Sequence, residues 1–227
     1  MESDIWIQRH ETAKLLEPVA VVGSPGLRSI GKLAVDSLIA QTKASLLAEL
    51  YSTHLPSIYQ TTPTYSAHPF LPGMGGVLVE SGSVDFPKVQ FYSCANPSLI
   101  LVRGCHANFA GQYTVAEKVV DFLSENKVKR MIVVAGYGTA EKIVCAANSQ
   151  TAIDEMKEKF GVGIGYKGPF MGFSGLVFGL AKLKGIEAIC LFVNTQPKEK
   201  DDLEFPDKEA SDRVVELLNR ILGLEKP

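Results

Sequence analysis

The residues best suited to chemistry in this chain lie in turns. Gly23-Ser-Pro-Gly26 follows an apolar run and precedes a helical pattern. Free amides at a helix N-terminus, approached closely through glycine, favour a small anion. If the chain binds one, Ser24, Gly26 and Leu27 supply the amides, and Arg28 adds a full positive charge in the first turn. The spacing matches neither the dinucleotide fingerprint nor the phosphate loop, which must end in Gly-Lys-Ser/Thr, so the default role of this turn is structural. Gly163-Ile-Gly-Tyr-Lys-Gly168 does spell G-x-G-x-x-G, but a helical pattern precedes it where the fingerprint needs a strand. It reads as a flexible loop entering a buried helix. Gly136-Tyr-Gly138, with Lys142 nearby, ends an apolar strand, the place where α/β folds put ligands; glycine there equally serves the turn itself.

Cys105-His106 offers a nucleophile and a base, but neighbours in extended chain point to opposite sides, so they are not expected to touch. No G-x-S-x-G elbow occurs. Asp121 and Glu125 share the polar face of a helix and read as solvated. The four cysteines (Cys94, Cys105, Cys145, Cys190) and four histidines are scattered, without metal-ligand spacing. No metal site, no cofactor and no catalytic residues are therefore expected. Buried thiols point to a reducing compartment, and the short acidic start Met1–Gln8 is no signal peptide, so the expectation is a cytoplasmic protein. Net charge is -2 without a basic block, which excludes a nucleic-acid footprint, and no apolar run reaches membrane-spanning length.

The elements that hold these turns follow from periodicity. A chain of 227 residues with 46% hydrophobic and 21% charged residues suits one α/β domain over 1–227. Val19–Val22, Leu99–Val102, Met131–Val134 and Ile189–Val193 are unbroken apolar runs, as expected of neighbouring parallel strands covered on both faces. Ala44–Tyr51, Gly76–Glu80, Lys88–Tyr92 and Ile143–Ala147 are further strand candidates. Helices are expected from about Ile30, from Thr114-x-x-Glu117 as a capping box, over Thr151–Phe160 stopping at Gly161, over Leu176–Leu183 as a helix apolar all round, and from Asp207 to Gly223. Strands alternating with helices give an α/β fold, a three-layer αβα sandwich with a mostly parallel central sheet. Residues 52–76 break the pattern with Pro56, Pro63, Pro69 and Pro72, and form a long loop or insert. Its Leu55, Ile58, Tyr59, Tyr65, Phe70 and Leu71 are a candidate partner surface, since prolines lower the cost of ordering such residues on binding.

Several segments together resemble the proteasome assembly chaperone 2 family. The first strand with Gly23-Ser-Pro-Gly-Leu-Arg-Ser-Ile-Gly31 is one. Leu99–Gly104 followed by Ala116–Lys127 and Met131–Gly136 is another. Gly172-Phe-Ser-Gly-Leu-Val-Phe-Gly-Leu180 and the closing helix from Pro206-Asp-Lys-Glu-Ala-Ser211 to Ile221-Leu-Gly-Leu224 complete the order. The resemblance implies a phosphorylase/hydrolase-like fold without a catalytic site, and a protein-binding assembly factor, not an enzyme, acting as a homo-oligomer with proteasome subunits as partners. Family members that dock into the proteasome often end in a hydrophobic–Tyr–any motif; this sequence ends Gly223-Leu-Glu-Lys-Pro227. The alternative is a small-molecule enzyme, phosphorylase-like or nucleotide-dependent of the ATP-grasp type. An enzyme concentrates titratable groups where the Gly23, Gly104 and Gly136 loops meet; a chaperone leaves that place shallow and apolar.

Overall fold

In the computed structural model, residues 4–10, 15–55, 77–138, 142–195 and 205–224 are described. The elements run β1 (Ile5–Arg9), β2 (Val19–Gly23), α1 (Ile30–Thr42), β3 (Ser45–Ser52), β4 (Leu78–Glu80), β5 (Ser83–Asp85), β6 (Val89–Ala95), β7 (Ser98–Arg103), α2 (Gln112–Glu125), β8 (Arg130–Tyr137), β9 (Ile143–Ala147), α3 (Gln150–Phe160), β10 (Gly163–Ile164), α4 (Gly172–Leu183), β11 (Glu187–Asn194) and α5 (Lys208–Leu222). The main sheet has the order β1-β3-β6-β7-β2-β8-β11-β9-β10.

The four apolar runs form its centre, β7-β2-β8-β11, with every pairing parallel. Their side chains alternate between two cores. Val21, Leu101, Ile132, Val134 and Leu191 pack under α1, α3 and α5; Ala20, Val22, Ile100, Val133 and Phe192 pack under α2 and α4. Burial on both faces is why these strands read as continuous apolar runs.

Outside this centre the sheet is mixed, which corrects the expectation of a mostly parallel one. β6 runs antiparallel to β7, β3 to β6, β1 to β3, and β9 to β11. For β7 and β9 connection length decides the direction. β6 and β7 are joined only through Asn96-Pro97, and five residues separate β8 from β9; neither can carry the crossover that a parallel return needs. The β4–β5 hairpin stands outside the main sheet.

Three local readings also change. α2 begins at Gln112, with Gly111 in the left-handed region as its N-cap, so Thr114 lies inside the first turn and does not cap. α4 begins at Gly172, before Leu176, and leaves Gly179, Lys182 and Leu183 exposed; it buries one face and is not buried all round. Gly163–Ile164 forms a short strand beside β9 where a flexible loop was expected. The α3 stop at Gly161 (φ 67°) and the Asp207 cap of α5, accepting from the Ala210 amide, are as the sequence indicates. Asp121 and Glu125 are each engaged by another element, Asp121 by Lys184 at 2.7 Å and Glu125 by Arg9 at 2.7 Å.

Candidate functional site

The carboxyl ends of β2, β7 and β8 bring the Gly23, Gly104 and Gly136 turns to one place, joined there by the start of α4. Glycine is required at this junction by contact. A β-carbon on Gly23 would stand 2.0 Å from the Gly31 carbonyl oxygen, one on Gly104 2.6 Å from the Ser24 β-carbon, and one on Gly136 2.6 Å from the Leu27 carbonyl oxygen. The Gly104 amide donates to the Gly23 carbonyl at 2.8 Å, and the Phe173 amide donates to Ala107 at 2.8 Å, which fixes α4 over the junction.

The space left is a cavity of about 20 Å³, lined by Ser24, Gly26, Leu27, Ala107, Gly136 and Ser174 among others. That is room for a single water. No Asp, Glu, His, Lys, Arg or Cys lines it. Ser24 and Ser174 share a hydroxyl hydrogen bond of 2.9 Å across it, and Ser24 is buried.

Arg28 turns elsewhere. Its guanidinium donates to the Asp207 carboxylate at 3.0 Å, to the Thr195 hydroxyl at 3.2 Å and to the Phe205 carbonyl at 3.1 Å, while its own carbonyl accepts from the Asp207 amide at 2.9 Å. Arg28 and Ser29 both adopt left-handed backbone (φ 51° and 53°), which costs a non-glycine residue about 1–3 kcal/mol. The latch to Asp207 offsets that cost. Burial opposes the charge on Asp207, but the Ala210 amide, the Thr195 hydroxyl and the Arg28 and Arg213 guanidinium groups outweigh it and hold its pKa below the ordinary value.

Cys105 lies just past the end of β7. Burial pushes its thiol up to about 12 against the pull of backbone hydrogen bonds at Cys105 and Lys88, so it stays neutral near pH 7. His106 is buried edge-on to Phe109. In the Gly163–Gly168 segment a β-carbon on Gly165 would stand 2.6 Å from the Val144 side chain, and Tyr166 stacks on Phe192 at 4.3 Å with its hydroxyl donating to the Pro169 carbonyl. Of the candidate partner residues, Leu55 is buried in the core, and Ile58, Tyr59, Tyr65, Phe70 and Leu71 lie outside the described residues.

One charged group escaped sequence reasoning. Glu49, in the middle of β3, is buried and accepts from Lys88 at 2.8 Å, Tyr51 at 3.2 Å and Gln90 at 3.4 Å, and lies 3.3 Å from the His10 ring. Burial works against its charge, yet the bond to Lys88, the Lys88 charge, His10 and Tyr51 together lower its pKa. Its partners come from β1, β3 and the start of β6, so only the cross-strand register brings them together. Among the described residues no cluster of His, Cys, Asp or Glu could hold a metal ion, and no helix is long and apolar enough to cross a membrane.

Residues 20–227 match the PAC2 family, and the chain belongs to it. It is 27% identical to PbaB of Pyrococcus furiosus, an archaeal proteasome activator, with a TM-score of 0.79 over 99% of this chain and 91% of that one. PbaA of the same organism, an archaeal homologue of proteasome-assembly chaperone, shares the fold at 20% identity, with a TM-score of 0.72 over 98% of this chain and 88% of PbaA. An uncharacterised protein of Methanocaldococcus jannaschii is 26% identical over 198 residues, 83% of this chain and 68% of that protein.

Proposed function

We propose that this protein is a non-catalytic, protein-binding factor of the proteasome system, an assembly factor or activator that works as a homo-oligomer in the cytoplasm. One observation carries the reading. At the strand ends, where an α/β enzyme of this topology would gather its reactive groups, the described residues leave about 20 Å³ and no titratable lining. PAC2 membership and the likeness to PbaB support a proteasome subunit as the partner.

The rival reading, a small-molecule enzyme with an anion at Ser24, Gly26, Leu27 and Arg28, requires Arg28 to leave Asp207 and the junction to open. The two are separated by mixing the purified protein with the proteasome core particle of its own organism. Comigration in a native gel, with altered peptide hydrolysis or subunit assembly, is expected. Absence of any complex, together with amide shifts at residues 24–27 on titrating phosphate or nucleotide, would overturn the proposal.

A further inference from the structure

The serine pair at the strand ends holds one proton more than it can use. Ser24 follows β2 and Ser174 lies in the first turn of α4, with their hydroxyl oxygens 2.9 Å apart. A serine hydroxyl carries one proton and two acceptor lone pairs. Whichever serine donates to the other, the bond consumes one proton, and the second hydroxyl proton needs another acceptor. Neither hydroxyl makes a further hydrogen bond among the described residues. Ser24 is only 4% exposed, and a buried hydroxyl without a partner is costly.

Both serines line the cavity of about 20 Å³. An apolar cavity of that size stays dry, whereas one with converging polar groups holds a water. No Asp, Glu, His, Lys, Arg or Cys lines it, and Arg28 is spent on Asp207, so nothing there favours an ion. The guest that fits is neutral, of water size, and both accepts and donates. The first turn of α4 is short of acceptors as well. Its N-cap residue, Met171, provides no side-chain cap, and the Phe173 amide is met by the Ala107 carbonyl.

We infer that one ordered water occupies this cavity and closes a ring with the two hydroxyls. One serine donates to the other, the second donates to the water, and the water donates back to the first. Each oxygen then gives and receives one proton within the ring. A water-mediated bond holds nearly as well as a direct one, so the water is part of what fixes the start of α4 to the end of β2. The site stands independently of the partner proposed above.

A crystal structure that shows ordered water tests it, together with Ser24→Ala, Ser174→Ala and the double variant. The wild type is expected to show one density peak within about 3 Å of both serine oxygens. The double variant is expected to lose that peak. Each single variant should lower the urea midpoint, and the double variant should lower it by less than the sum, because no spare hydroxyl is left behind. A wild-type cavity without density would overturn the inference, as would a peak that stays in place in the double variant. Strictly additive midpoints would dissolve the ring. An anomalous peak in the cavity of bromide-soaked crystals would replace the water with a small anion. None of these readouts involves the proteasome, so binding to the core particle stands or falls separately.

Discussion

Replacing Asp207 by alanine tests how the strained turn is held. The carboxylate does two jobs. Its Oδ1 caps α5 by accepting from Ala210 at 2.9 Å, and its Oδ2 accepts from Arg28 at 3.0 Å and from the Thr195 hydroxyl at 2.7 Å. Loss of an N-cap costs about 1 kcal/mol. The Arg28 and Asp207 side chains are only 14% and 16% exposed, so a lone Arg28 would keep a partly buried charge with neutral partners, a further cost of about 2–3 kcal/mol. Asp207→Ala should therefore lower the unfolding free energy by about 3–4 kcal/mol. Asp207→Asn keeps a good cap and loses only the charge, so it should cost about 1 kcal/mol less than alanine. Urea melts of the three proteins at pH 7 read both numbers. An alanine variant within about 0.5 kcal/mol of wild type would show that the latch carries no stability and that the left-handed turn is held by packing alone.

Gly23→Ala should be among the most damaging single changes in the chain, because its β-carbon meets backbone at 2.0 Å and neither β2 nor α1 can yield without moving the junction. We expect a loss of about 3 kcal/mol or insoluble protein; a soluble variant melting as wild type would contradict the close approach of α1 to β2. Acid should destabilise the protein through Glu49, Glu155 and Asp207, whose folded pKa values all lie below their ordinary ones. For Glu155 the Arg130 hydrogen bond dominates; for the other two, polar partners overcome burial. A carboxylate lowered by folding stabilises fully above its unfolded pKa, near 4, and loses that contribution as pH falls through the folded value. Urea midpoints should be flat from about pH 6 to 8 and fall below about pH 4; a midpoint that rises on acidification would reverse the sign. Lys88 acts at the other extreme: its folded pKa is raised despite burial by Asp85 and Glu49, so its contribution holds below its unfolded value and disappears only in strong alkali.

The sequence by itself determined the parts whose physics is local. Val19–Val22, Leu99–Val102, Met131–Val134 and Ile189–Val193 announce buried parallel strands because burial on both faces admits only apolar side chains. Asp207 and Gly161 announce helix ends because a carboxylate cap and a left-handed stop are properties of a few neighbouring residues. Tertiary structure decided whatever depends on residues far apart. Arg28 reads as a free charge over an anion cradle until α5 folds back and places Asp207 against it, 179 positions away. Thr114 spells a capping box, yet α2 starts three residues earlier because Gly111 can take the left-handed turn there. Glu49 shows no motif, since its partners Lys88, Gln90 and His10 meet it only through the antiparallel register of β1, β3 and β6. The Gly23, Gly104 and Gly136 turns are each legible as turns, but that they close on a space for one water, and not on a cleft, is set by approaches so close that a β-carbon at any of the three would stand only 2.0–2.6 Å from an atom of another part of the chain, which periodicity does not connect.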